Sequence, residues 1–319
     1  MAPDSRFEAA SFAPERRADQ RVEHGLRLLG GSGGGEGAAL IEAAFASGDA
    51  EAAMALATLE AMGAGRPQSW TRALDYLAIA AERGSPRARA QLALLGRSQD
   101  WREAGAGLDI PALLAPPARR PACEQPRIRV FEGFATPDEC DWAISAARDK
   151  LAPALVWDPV TGEGQQDPNR SNRALELGLT DMDVVLHLLR ARISAASNLP
   201  LPVFETAQIM HYRPGEEFRA HYDFLDPAGR GHDRQLARFG QRIATFVLYL
   251  NDDYEGGETV FPKVGFRYRG RRGDALLFAN VDAATRAPDP LSLHAGLPPT
   301  RGEKWVFSQW IRDRSPPPA

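Results

Sequence analysis

The sequence predicts an α+β chain, an all-α helical module followed by an antiparallel β-sandwich or barrel with flanking helices. Three observations carry this. Residues 38–106 are rich in Ala and Leu, with Gly at the breaks, a composition that favours helices. After residue 203 the chain turns to short alternating β-branched and aromatic runs such as FETAQIMHY, RIATFVLYL and KWVFSQWI. Turn residues (PG, DPAG, NDDYEGG, RGRRGD, PPTRGE), with no helical stretch between them, separate those runs, which implies antiparallel pairing.

A chain of 319 residues exceeds the usual size of one core, so two domains are expected. Residues 1–37 form a mostly flexible N-terminal segment, because 1–20 are polar and 30–37 (GGSGGGEG) offer nothing to bury. Within 38–106 a repeat is visible. GDAEAAMALATL from Gly48 recurs as GSPRARAQLALL from Gly84, 36 residues on. Ala52 then matches Ala88, Leu56 matches Leu92 and Leu59 matches Leu95, a spacing suited to stacked helix pairs. Residues 107–126 are Pro-rich and expected to be a linker.

The second domain, 127–319, opens with a strand at Ile128–Val130. Thr136, Pro137 and Glu139 then form a capping box with Pro in the first turn, so a helix runs from there to about Leu151. Residues 158–173 are expected to be a mobile loop, and 226–240 a second long loop. A further amphipathic helix spans 181–196, with Met182, Val185, Leu186, Leu189 and Ile193 on one stripe. These two helices are expected to cover one outer face of the sandwich.

Composition excludes several classes of function. Net charge is −4 with both signs interspersed, so nothing points to nucleic acid or a membrane surface. Two cysteines, Cys123 and Cys140, do not make a disulfide scaffold and fit a reducing compartment. No apolar run approaches a spanning helix and no signal-peptide core is present, so a cytoplasmic location is expected.

In FRAHYDF, His221 and Asp223 stand two apart, so on a strand both face one side. Alone, such a pair is common by chance. With a His from another strand, His294 in LSLHAGL, it makes the two-His, one-carboxylate set that leaves a metal open positions. Lys304 lies ten residues beyond His294 and is one of only three lysines, with Lys150 and Lys263. Its ammonium can pair with the far carboxylate of a dianion whose other end meets the metal. Tyr212 shares a strand face with Gln208 and Met210, and its hydroxyl can donate to the same carboxylate. His211 points to the opposite face. His24, His187 and His232 stand in the N-terminal part, on a helix and in a polar loop, and none is a ligand candidate.

MHYRPGEEFRAHYDF, RIATFVLYLNDDYEGGETVFP, GDALLF and LSLHAGLPPTRGEKWVFSQWI occur in unbroken order, after FEGFATPDECDWAI. Together, over residues 127–313, they resemble the prolyl 4-hydroxylase family of 2-oxoglutarate oxygenases. The resemblance implies a double-stranded β-helix (jelly-roll) core, with Fe(II) on His221, Asp223 and His294. It also implies 2-oxoglutarate on Lys304 and Tyr212, with Thr259 and Trp310 lining the same pocket. O2 is the oxidant and ascorbate a further reductant that the likeness brings with it. Asn169-Arg170-Ser171-Asn172 departs from the family's Arg-Thr-Ser segment, which leaves the substrate open between a peptidyl proline and a small molecule or free amino acid. Residues 38–96 resemble Sel1-like repeats, relatives of the tetratricopeptide class, which implies a possible protein partner. A catalytically silent scaffold is the remaining alternative, and the intact set of His221, Asp223, His294 and Lys304 argues against it.

Overall fold

The computed structural model describes residues 20–31, 33–157, 164–167, 169–229 and 231–315. Residues 1–19 of the expected flexible N-terminus, and 158–163 and 168 of the expected mobile loop, lie outside the described residues. The chain divides into two units. One runs up to Ala115 and adds Leu177–Arg192; the other takes Pro116–Glu176 and the chain from Ile193.

The first unit is helical. It comprises α1 (Gln20–Leu29), α2 (Gly34–Ala46), α3 (Ala50–Met62), α4 (Trp70–Glu82), α5 (Pro86–Gly96), α6 (Trp101–Ala106) and α7 (Ile110–Leu114). The repeated segment appears as repeated geometry. Gly48 and Gly84 both take left-handed φ, +91° and +100°, as the chain leaves a helix. Each is followed by a side-chain N-cap, Asp49 accepting from the Ala52 N–H and Ser85 from the Ala88 N–H, which start α3 and α5. The matched positions Ala52 and Ala88, Leu56 and Leu92, Leu59 and Leu95 are all buried. Glycine does not hold residues 34–37 open as expected: α2 begins at Gly34, and Gly37 is buried.

Two corrections concern the borders. Residues 107–126 are not a bare linker: they hold α7 and a strand, β1 (Arg119–Cys123), which pairs antiparallel with β2 (Ile128–Phe131). Pro121 is tolerated there because β1 is the edge of its sheet. The helix expected at 181–196 is α9 (Val184–Ser197), and its residues up to Arg192 belong to the helical unit. Leu186, Leu188 and Leu189 are fully buried there, and His187 stacks on Trp70 at 5.7 Å. Asp183 pairs with Arg87 at 2.9 Å, and the Val184 N–H donates to Gln91 at 3.1 Å. Of the two expected cover helices, only α8 (Pro137–Ala147) lies wholly in the second unit, started by the Thr136–Glu139 capping box.

Among the described residues the second unit holds two larger antiparallel sheets, besides two short two-stranded ribbons that pair Glu255–Gly256 with Pro299–Arg301 and Val156–Trp157 with Gly164–Gln165. Besides β1 and β2, the strands of the two larger sheets are β3 (Ala152–Pro153), β4 (Arg173–Glu176), β5 (Gln208–Tyr212), β6 (Phe218–His221), β7 (Arg242–Tyr249), β8 (Thr259–Phe261), β9 (Phe266–Tyr268), β10 (Ala275–Ala279), β11 (His294–Gly296) and β12 (Lys304–Arg312). The larger sheet has the order β1-β2-β10-β7-β12-β5-β4-β3, and the smaller β9-β8-β11-β6. Phe261 of β8 meets Phe278 of β10 edge-on at 5.0 Å, within a shared core that includes Ile128, Met210, Tyr249 and Val306. This two-sheet arrangement is the double-stranded β-helix that the resemblance implied. The loop expected at 226–240 instead holds α10 (His232–Phe239), which ends at Gly240.

Candidate active site

Strand register assembles the site. β11 pairs with β6 so that His294 lies opposite His221, and β12 pairs with β5 so that Lys304 lies opposite Tyr212. Directly opposed residues in an antiparallel pair project their side chains to the same face, about 5 Å apart. A third pairing sets Trp310 of β12 opposite Thr245 of β7. Lys304, Val306, Ser308 and Trp310 alternate along β12 and line one cavity with Tyr212, His221, Asp223, Thr259 and His294. All seven residues singled out in the sequence therefore meet in one place.

Asp223 arrives differently from the way the spacing suggested. β6 ends at His221, so Asp223 is not a strand neighbour but sits in the bend beyond it. Its carboxylate is nonetheless 3.5 Å from His221 Nε2 and 3.4 Å from His294 Nε2. One potential donor atom from each of the three residues lies within 4.8 Å of the others.

What holds Asp223 there is a hydrogen-bond chain that sequence reasoning missed. The Thr245 hydroxyl donates to Asp223 Oδ2 at 2.7 Å, and Asn280 Nδ2 donates to Thr245 Oγ1 at 2.9 Å. Both residues are buried, Asn280 completely. Burial alone would raise the Asp223 carboxyl. The His294 and His221 rings and the Thr245 hydroxyl outweigh it and hold the group well below the usual carboxylate range. Burial, helped by the nearby His221, brings His294 down to about 4, so the ring is neutral.

The donor set fits a divalent cation. His221 Nδ1 lies 2.7 Å from the Arg219 carbonyl and His294 Nδ1 3.0 Å from that of Ser292. These carbonyls take the Nδ1 protons and leave both Nε2 lone pairs facing Asp223, the orientation that metal-ligating histidines require. Two imidazoles and one carboxylate leave open positions.

The neighbouring wall fits an anion. Lys304 is 2% exposed, and among the described residues no carboxylate pairs with it. Its ammonium faces the rings of Tyr212 at 5.3 Å and Tyr249 at 5.6 Å. Desolvation brings it down to about 8, against a smaller pull upward from Glu258. A buried ammonium without a counter-ion is costly unless a ligand brings the charge. Burial pushes Tyr212 up to about 12, so its hydroxyl remains a donor. Tyr249, a third residue that the sequence reading passed over, donates from its hydroxyl to Thr259 Oγ1 at 2.7 Å.

The other histidines stay outside the site's chemistry. His211 projects from the far face of β5, with Nε2 2.9 Å from Glu303 and its ring 4.3 Å from Trp305. His187 is buried in the helical unit and His24 is exposed on α1. His232 begins α10 and lines the outer part of a larger cavity of about 770 Å³ that opens over His221 and Asp223. Arg170, in the segment that departs from the family pattern, is buried in that cavity's wall, bonded to Gln208 at 2.9 Å and Asn172 at 3.0 Å.

Comparison with known proteins gives the family by sequence. Residues 207–312 match the model of the 2OG-Fe(II) oxygenase superfamily. Probable prolyl 4-hydroxylase 7 of Arabidopsis thaliana is 34% identical over 209 residues, covering 60% of this chain and 64% of that protein. Prolyl 4-hydroxylase 2 of the same plant is 33% identical over 222 residues, covering 63% of this chain and 72% of that protein. The chain thus spans less than two thirds of the first of these relatives and more than two thirds of the second. Among solved structures, the viral collagen prolyl hydroxylase of Paramecium Bursaria Chlorella virus-1 in its 2OG complex is 26% identical, with a TM-score of 0.44, over 58% of this chain and 94% of that one. The chain belongs to the prolyl 4-hydroxylase-like family of 2OG-Fe(II) oxygenases, dioxygenases that use Fe(II), 2-oxoglutarate and O2.

Proposed function

We propose that this protein is a hydroxylase that converts a C–H bond of a peptidyl proline to C–OH, with release of succinate and CO2 from 2-oxoglutarate. The observation that carries the reading is the register of two strand pairs, which brings a cation-binding set and an anion-binding set to one cavity. The relatives' names supply proline as the substrate residue.

His221, Asp223 and His294 hold Fe(II). With O2 and 2-oxoglutarate, the bound metal supplies the oxidising power for the hydroxylation. The protein does the rest. Lys304 and the hydroxyls of Tyr212 and Thr259 bind the distal carboxylate of 2-oxoglutarate, and Tyr249 orients the Thr259 hydroxyl. Trp310, opposite Thr245 on the same face as Lys304, closes the cavity beside the metal set. The pocket for 2-oxoglutarate is walled by the buried side chains of Tyr212, Thr259, Lys304 and Val306.

The helical unit acts as a Sel1-like repeat module that recruits or orients a protein partner. The reading rests on the repeated Gly–cap–helix geometry at Gly48 and Gly84. The free thiols of Cys123 and Cys140 are consistent with a cytoplasmic location.

The test is 2-oxoglutarate binding to anaerobic, Fe(II)-loaded protein, followed by the weak charge-transfer absorption of the chelate. The expected band appears in the wild type and disappears in His294→Ala. With O2 and ascorbate supplied, proline-containing peptides of a lysate then gain oxygen at proline. A folded wild type without the band removes the catalytic reading and leaves a silent scaffold.

A further inference from the structure

The cavity of about 770 Å³ over the metal set is walled by more positive charge than the cofactors use. Among the described residues four guanidiniums, Arg170, Arg238, Arg242 and Arg312, line it, against two carboxylates besides Asp223, those of Glu176 and Glu205. Glu205 is shared. Arg242 donates to both its oxygens, at 2.6 and 2.9 Å, and Arg312 Nε reaches Oε1 at 2.7 Å. Arg242 Nη1 and Arg312 Nη2 have no acceptor among the described residues. Arg170, only 5% exposed, spends its donors on the neutral acceptors Asn172, Gln208 and Leu155 O. No carboxylate among the described residues pairs with it.

The cofactors do not neutralise this surplus. Fe(II), the Asp223 carboxylate, the Lys304 ammonium and a 2-oxoglutarate dianion cancel among themselves. Among the described residues, two positive charges are left on the wall of the substrate cavity. Buried guanidiniums are costly unless a ligand meets them, and low-dielectric walls focus their field into the cleft. Their position beside the reaction is also fixed. The Arg242 guanidinium lies 3.9 Å from the Trp310 ring, and Trp310 lines the metal cavity itself.

From this charge balance we infer that the substrate carries a carboxylate next to the C–H bond that is hydroxylated. In a peptide that is an acidic side chain flanking the target residue; in a small substrate it is a free acid. The inference rests on the hydroxylase reading and adds to it the charge of the substrate. Arg312 and Arg242 bind the carboxylate, Arg170 adds long-range attraction, and Arg238, exposed on α10, steers it in from the rim.

Calorimetric binding to the full chain, loaded with Mn(II) and 2-oxoglutarate, tests it with two pairs of probes. One is a blocked Ala-Pro-Ala host peptide carrying Glu, Gln or Lys beside the proline. The other is L-proline against L-prolinamide. The Glu peptide is expected to bind roughly tenfold more tightly than the Gln peptide, with the Lys peptide weaker still, and the preference to shrink at high salt. The same margin for L-proline over its amide would instead name a free acid as the source of the carboxylate. Arg312→Gln should erase the preference. Arg238→Gln, a surface change that leaves folding intact, should reduce it about threefold. Absence of any carboxylate preference in both pairs, whether through equal binding or none, overturns the inference. A carboxylate preference without hydroxylated product would overturn the hydroxylase reading alone, and hydroxylation without the preference would overturn this inference alone.

Discussion

Lys304 shows how one side chain links burial to chemistry. Desolvation lowers its pKa to about 8, so the free enzyme carries the charge at neutral pH and loses it in mildly alkaline solution. An anion on the ammonium favours the charged form and raises that pKa again. Between the two values the complex holds one more proton than the free protein, so affinity for 2-oxoglutarate must fall as pH rises. The expected slope is up to about tenfold per pH unit above about pH 8. A titration of the chelate band from about pH 7 to about pH 9.5 checks this, and Lys304→Arg should be flat across that range because guanidinium stays charged there. A flat wild type would remove Lys304 from the cosubstrate's carboxylate. This residue was legible in the sequence because lysine is rare in the chain, so its placement carried information. Tyr249 was not legible. Its role depends on a hydroxyl meeting Thr259 across two sheets, and nothing in RIATFVLYL marks it apart from any core tyrosine.

At the scale of elements, β7 holds more of the site than its sequence declares. Its alternation identifies a buried strand, but Thr245 is one β-branched residue among several and gives no sign of bonding to the carboxylate of the candidate metal set. The bond exists because β6 ends early and Asp223 turns back toward β7. Thr245→Val keeps the shape and removes the donor, leaving Asp223 Oδ2 without it and Asn280 Nδ2 without an acceptor. Affinity for Fe(II), or for Co(II) as a spectroscopic probe, is expected to fall 10- to 100-fold, as for other groups that orient metal ligands. Unchanged metal affinity with an unchanged Co(II) spectrum would show that Asp223 holds its position without help. The capping box of α8 stands at the other extreme. Thr136 and Glu139 satisfy each other's backbone over three residues, so the interaction is local and was read from sequence with its partners. The same locality made Gly48 and Gly84 readable as helix ends.

For the whole molecule, the division of α9 has a direct consequence. Residues up to Arg192 bury their leucines with the N-terminal helices, although in sequence they lie inside the oxygenase segment. A chain beginning at Pro116 would expose Leu186, Leu188 and Leu189 and strip His187 of Trp70. It is expected to bind a hydrophobic dye and lose cooperative unfolding, where the full chain does neither. A well-folded, dye-negative fragment would show that the β unit stands without the helical one. Sequence by itself determined what depends on neighbours in the chain: the helical module and its repeat, the alternating strands, the caps, and a list of residues whose chemistry suits a metal and a dianion. Tertiary structure alone decided which of these meet. Strand register set His221 against His294 and Tyr212 against Lys304. Contacts between distant segments supplied the Asn280–Thr245–Asp223 chain, gave α9 to the helical unit, and gathered four guanidiniums around one cavity. The physical reason is range. Hydrophobic period and capping act over a few residues, whereas register, desolvation and charge balance are sums over groups that only the fold brings together.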